Sequence, residues 1–268
     1  MIAIKNINLK SPTNLLIATN VAIAVVVLIL GWFGIRPIWL EVSSDITTLL
    51  HTPWTLLTYA LVHERFFHLL FNMLVLWWLG HIIERKFTAA NIVGLYLLGA
   101  LFGALTFTLA FSTMPYFAQQ FPGTMLTGAS AAVLAFATAI PIAMPEHKLH
   151  LPFIGNISMK WIAIVLILVS FFGVTGPNAG GDVAHLGGAL LGVCYALIYN
   201  YIKKHKPYNI FAENGQRESK YHFQRGTRTT DTHYCNRKDA DIDAILEKIK
   251  CEGYARLTDD EKEKLFKK

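Results

Sequence analysis

The sequence predicts an all-α polytopic membrane protein: a bundle of six transmembrane helices followed by a small cytoplasmic helical tail. Three observations carry this expectation. The 268 residues are 53% hydrophobic, with a mean hydropathy of +0.40. Charge is segregated: residues 1–202 hold 8 Lys/Arg and 6 Asp/Glu, whereas residues 203–268 hold 16 and 12, so one part suits lipid and the other water. Six apolar runs also approach the ~20 residues that a spanning helix needs.

The runs lie at roughly 12–34, 66–83, 91–112, 128–145, 159–175 and 183–202. The first, through AIAVVVLILGWFG, lacks a small-residue cleavage site and reads as a retained helix, not a removed signal. The loop at 34–65 is too long for a simple turn. It carries Trp39, Leu40, Leu49, Leu50, Pro53, Trp54 and Leu56, and is expected to lie partly in the membrane interface. The second run, HLLFNMLVLWWLG, holds polar groups that a lipid-facing helix would avoid. The fourth starts near GASAAV and ends around Pro141–Pro145. The sixth, AHLGGALLGVCYALIY, is rich in small residues.

Charges between the runs set the orientation. Lys5, Lys10, Arg85, Lys86, Lys148, Lys160, Lys203, Lys204 and Lys206 fall on one side, and Arg36 and Arg65 on the other. Positive residues favour the cytoplasmic face, so both termini are expected there, with 34–65, 113–127 and 176–182 outside. The membrane unit is then residues 1–202. Residues 203–240 are polar without apolar periodicity and read as a disordered linker. In 241–268, Ile242, Ile245, Leu246 and Ile249 share a helical face, Gly253 is a stop, and Thr258 with Glu261 forms a capping box. This small cytoplasmic extension either folds back on itself or binds a cytoplasmic partner.

The net charge of +6 sits in the tail or beside apolar runs, as membrane lipids and insertion favour; no nucleic-acid partner is expected. Cys194, Cys235 and Cys251 lack metal-ligand spacing, and the histidines are not grouped as in a zinc motif. The chemistry expected needs no metal and no organic cofactor.

Ionisable groups inside a membrane are costly and mark interior sites. Ser130, in TGAS, and His185, in DVAH, fall two or three residues inside the starts of the fourth and sixth runs, hence at similar depth. If these helices touch, the imidazole can take the hydroxyl proton, the pairing that acyl transfer requires. Gly188 and Gly192 share a face and allow close backbone approach. The N-terminus of the fourth helix offers free N–H groups to a developing oxyanion. His68 and Asn72, four apart, both point donors at the same space. His63 lies at the helix entrance as a supporting residue. Asp182, three before His185, reads as a loop or cap residue, which leaves a Ser–His dyad. Each residue also has a purely structural reading; it is their convergence near the outer ends of three helices that makes a site.

These residues resemble the rhomboid family of intramembrane serine proteases. His63-x4-His68-x3-Asn72 resembles its second-helix motif. Gly128-Ala129-Ser130 resembles its nucleophile motif. Ala184-His185-Leu186-Gly187-Gly188, then Gly192, resembles its histidine helix. The resemblance covers about residues 12–202. It implies Ser130 as nucleophile, His185 as general base and acid, His68 and Asn72 at the oxyanion hole, His63 in support, and Gly128 keeping the nucleophile's surroundings open. Trp54-Thr55 stands where the family carries Trp-Arg, which changes a loop anchor. Ala131 stands where it carries glycine, implying a cavity narrower by one methyl. The segment GYARLTDDEKEKLF is similar to C-terminal extensions of some bacterial rhomboid-like proteins.

The expected activity is hydrolysis of peptide bonds in transmembrane or membrane-proximal protein substrates, in a bacterial inner membrane. The main rival is a catalytically silent rhomboid-like protein that binds clients. A transporter fits less well, because the polar groups gather towards one face and no inverted repeat is visible.

Overall fold

The computed structural model describes residues 11–63, 65–120, 123–151 and 155–205, together with residues 245, 258 and 260. The chain divides into two units, 1–207 and 208–268; everything below concerns the first. The linker and the helical extension expected at 203–268 lie outside the described residues, apart from 203–205 and those three positions.

The elements run α1 (Pro12–Trp32), β1 (Val42–Ser43), α2 (Ile46–His51), α3 (Thr55–Thr58), α4 (Phe66–Ile83), α5 (Ala89–Thr113), α6 (Pro115–Gln120), β2 (Met125–Leu126), α7 (Ser130–Ala143), β3 (Lys148–Leu151), β4 (Gly155–Ser158), α8 (Met159–Gly173) and α9 (Ala179–His205). Short 3₁₀ turns occupy Ile38–Leu40 and Tyr59–Leu61. This is an all-α, multi-pass membrane helix bundle with two small two-stranded antiparallel sheets that hydropathy had not marked.

The expectation of six spans is corrected. Among the described residues, α1, α4, α5 and α9 are long and apolar enough to cross a membrane. Helices α7 and α8 have only 14 and 15 residues. At ~1.5 Å per residue they reach ~21 and ~22 Å, short of a hydrocarbon core of ~30 Å. Apolar composition outran helical backbone at both. Gly128 has φ +106°, so α7 cannot extend back through it and starts at Ser130 after the Ala129 cap, and Met144 leaves the helical region at φ −136° just before Pro145. The run at 159–175 stops as a helix at Gly173. Conversely, α9 begins four residues before the run that marked it and continues to His205.

Local chemistry fixes the helix starts. Ser11 caps α1 by accepting from the Asn14 N–H. Its hydroxyl also donates to Glu84 Oε1 at 2.6 Å, and the Thr13 N–H adds a second bond to that oxygen; these tie α1 to the end of α4. Thr88 caps α5 through the Asn91 N–H, and Asp45 caps α2 through the Thr48 N–H. In the 34–65 loop, the Trp54 indole N–H donates to the Trp39 carbonyl at 2.8 Å, while Thr55 is buried and donates to the Thr52 carbonyl. Strand β1 pairs with β2, Val42 opposite Leu126 and Ser43 opposite Met125. That loop is thereby clamped to the segment leading into Ser130.

The core is formed by α5, α7 and α9, each packed against the other two. Every residue from Ala131 to Ile140 is buried. Glycines permit this. A Cβ at Gly188 would overlap the Ala131 carbonyl, and one at Gly192 would overlap the Ala135 carbonyl and Thr138. On α5, Gly103 faces the Ala131 methyl, and a Cβ at Gly99 would come within 2.8 Å of the Ala135 methyl. Backbones in membranes approach this closely only over such small residues. The Thr138 hydroxyl, bonded to the Ala189 carbonyl at 2.9 Å, closes the α7–α9 seam.

Candidate active site

Ser130 is the first residue of α7, and His185 is the seventh of α9, about one turn deeper in its helix than the apolar run implied. Both side chains line the same two cavities. The larger, about 650 Å³, is walled by Arg65, His68, Thr127 and Asn178 besides the pair. The smaller, about 270 Å³, is walled by Asn72, Val133, Leu166, Ser170 and Asp182 besides the pair. Ser130 and His185 therefore stand where a polar space meets a mostly apolar one. No hydrogen bond joins them among the described residues.

The segment before Ser130 is held by the chain at 59–63. The Gly128 N–H donates to the Tyr59 carbonyl at 2.9 Å, and the Tyr59 hydroxyl is anchored on the Ala100 carbonyl at 2.7 Å. The Ala129 N–H donates to His63 Nε2 at 3.4 Å. Gly128 has no room for a side chain: its positive φ disfavours one, and a Cβ would run into the His68 imidazole. The His63 and His68 rings meet edge to face at 5.2 Å. The first N–H groups of α7, those of Ser130, Ala131 and Ala132, precede the first intrahelical bond, Val133 N–H to Ala129 carbonyl, so they remain available at a positive helix end.

Buried His63 accepts through Nε2, so it must be neutral. Burial, aided by neighbouring His68 and opposed by the Leu61 carbonyl, holds its pKa down to about 4. Between pH ~6.5 and ~4 the unfolded chain binds a proton that the fold excludes. The stability this neutral ring supplies is therefore whole above pH ~6.5 and is lost as pH falls towards 4, up to roughly 3 kcal/mol. Thermal unfolding in detergent will show it. The fall in Tm from pH 7 to 4.5 will be smaller in His63→Gln, which keeps an acceptor but does not titrate, than in wild type. Equal falls would mean that His63 is not the titrating group.

His68 and Asn72 do not share one space. His68 faces the larger cavity and Asn72 the smaller, and the Asn72 amide donates to the His68 carbonyl within α4 at 2.9 Å. Ala131 lines neither cavity; its methyl fills the space over Gly103, so the narrowing implied by the family's glycine does not arise. Two side chains stand beside His185 Nδ1, of which the sequence reading singled out only Asp182, as a loop or cap residue. Ser170 Oγ lies 3.1 Å from His185 Nδ1, and Asp182 Oδ1 lies 3.6 Å from the same nitrogen. The one available signal for Ser170 was a lone hydroxyl in LILVSFFG. Among the described residues, no group of three or more His, Cys, Asp or Glu is arranged to hold a metal.

Fold and site define a class: a polytopic helix-bundle membrane protein with serine and histidine exposed together in a cavity at the starts of two packed helices. The model of the Rhomboid domain matches residues 50–202, more than half of the chain, and the chain belongs to the rhomboid family. It is similar to rhomboid-like protease 1 of Toxoplasma gondii, with 26% identity over 156 residues, 58% of this chain and 50% of that protein. The chain thus spans about half the length of this curated relative.

Proposed function

We propose that this protein is an intramembrane serine endopeptidase that cleaves transmembrane or membrane-proximal protein segments with Ser130 as nucleophile and His185 as base. The observation that carries the reading is that these two side chains are common to both cavities. A substrate carbonyl in the larger cavity would meet Ser130 Oγ. His185 Nε2 would take the hydroxyl proton and pass it to the leaving amine, and water would then release the acyl group by the same route in reverse. The early N–H groups of α7, with His68, would receive the oxyanion. Asn72, facing the smaller cavity, would contact the substrate chain there instead, in support. His63 and Gly128 shape the loop that presents Ser130. The apolar cavity between α4, α7 and α8 would take the substrate's hydrophobic side.

The charge asymmetry supports cytoplasmic termini; a bacterial inner membrane and a cytoplasmic partner for residues 241–268 belong to the same proposal. The rival, a silent client binder, has one observation in its favour: Ser130 and His185 are not hydrogen-bonded to each other among the described residues. Resting sites of this kind often tighten only with substrate.

A serine-directed phosphonate on the protein in liposomes decides between the two. Labelling at Ser130 by intact-mass and peptide analysis, lost on prior incubation with a cleavable transmembrane reporter, is the expected result. A wild-type protein neither labelled nor able to cut any of a panel of such reporters would favour the client binder.

A further inference from the structure

We infer that Ser170 and Asp182 are positioning residues for His185, turning the expected Ser–His dyad into a relay with a third, two-part member. This rests on the reading of His185 as the base. Its Nδ1 has two oxygens before it: Ser170 Oγ at 3.1 Å on α8 and Asp182 Oδ1 at 3.6 Å on its own helix. Ser170 is only 4% exposed, so its hydroxyl has little water to turn to. The placement is reciprocal. Ser170 and Gly173 are three apart on α8, as Asp182 and His185 are on α9, and neighbours at that spacing share a helical face. The serine meets the histidine, while the glycine meets the aspartate: a Cβ at Gly173 would lie 2.6 Å from Asp182 Oδ2. Gly173 thus makes the room in which the carboxylate turns towards the ring.

The chemistry follows from the proton count. A neutral imidazole carries one N–H. With two oxygens facing Nδ1, that proton resides there and is donated to Ser170 Oγ, with the Asp182 carboxylate nearby at 3.6 Å, leaving the Nε2 lone pair for the cavity. As the Ser130 Oγ–H bond breaks and the Oγ–carbon bond forms, the proton moves to Nε2 and the carbonyl electron pair moves to oxygen. The ring becomes an imidazolium whose positive charge the Asp182 carboxylate offsets; the proton then leaves with the amine. Arg65 and His68, across the larger cavity, are the other charged or titratable side chains in its walls. A tie between α8 and α9 would explain Ser170 alone. It would not explain a carboxylate on the same nitrogen with a glycine cut out behind it.

The test uses the full chain in liposomes, with a reporter that wild type cleaves. Asp182→Asn is expected to lower kcat about tenfold or more at unchanged KM, and Asp182→Glu, which keeps the carboxylate, to restore much of that loss. Ser170→Ala is expected to lower kcat about threefold to tenfold. Gly173→Ala, which removes no polar group, is expected to lower kcat in wild type but to have little further effect in Asp182→Asn. Since Ser170→Ala could loosen α8, the Asp182→Asn and Gly173→Ala pair, checked for an unchanged thermal midpoint, carries the decision. Unchanged kcat in folded Asp182→Asn, with His185→Ala inactive, would overturn this inference and leave the protease reading standing. Cleavage by His185→Ala at the wild-type rate would overturn both.

Discussion

Ser130→Ala, reconstituted beside wild type, will make no detectable product from a transmembrane reporter, a loss of roughly 10⁴-fold or more. The size follows from the division of labour. Without Oγ no acyl bond can form, and what remains is whatever the early N–H groups of α7 and substrate binding can do for water alone. His185→Ala will lose a comparable amount, since a serine hydroxyl with no base beside it is a poor nucleophile. The double variant will be no worse than either single one, because residues acting as a unit do not add. The Ser130 side chain borders open cavities, so truncating it leaves the packing intact and the thermal midpoint near wild type, whereas His185→Ala also unpairs Ser170 and lowers the midpoint modestly. Product from folded Ser130→Ala at the wild-type rate would end the assignment.

Gly188→Ala will be nearly as damaging by a different route. The new methyl would overlap the Ala131 carbonyl, and backbone cannot swing aside as a side chain can. Helix α9 must move off α7, carrying His185 away from Ser130. Overpacking costs about 1–3 kcal/mol in ordinary cores, and a clash with main chain belongs at the upper end. The expected result is a thermal midpoint lowered by several degrees together with near-complete loss of cleavage. Gly192→Ala, against the Ala135 carbonyl and Thr138, should behave likewise. Gly31→Ala, where nothing lies within 4 Å, is the control and should match wild type. A Gly188→Ala protein with wild-type stability and rate would mean that the α7–α9 seam is looser than these contacts require.

The parts of this molecule that the sequence announces are those with a one-dimensional signature. Helices α1, α4, α5 and α9 are long apolar runs. The glycines of AHLGGALLG report close packing through their spacing, and the structure seats Gly188 and Gly192 on successive turns of α7. What stayed hidden depends on where backbone departs from composition. Apolar residues continue past both ends of α7, yet Gly128 at positive φ and the non-helical Met144 cut it to 14 residues. Ser170 was invisible because its partner lies on another helix, and a lone hydroxyl in an apolar run carries no period. Asp182 was visible and does stand in the first turn of α9, where an acidic residue suits the helix dipole; its position in the chain gave no sign of the ring beside it.

The shortness of α8 reaches beyond the count of spans. Helix α7 is wrapped by its neighbours, but α8 presents Trp161, Val165, Leu168, Val169 and Phe172 at the surface over only ~22 Å. Lipid tails packed against that face meet a hydrophobic wall several ångströms shorter than themselves. The bilayer must thin there, or the flanking residues must snorkel, at a fraction of a kcal/mol per Å of mismatch. Ser170 sits on that same helix, one turn from its end and against His185. Under the role proposed for His185, acyl-chain length becomes a variable of cleavage: thicker membranes pull on the helix that meets that ring.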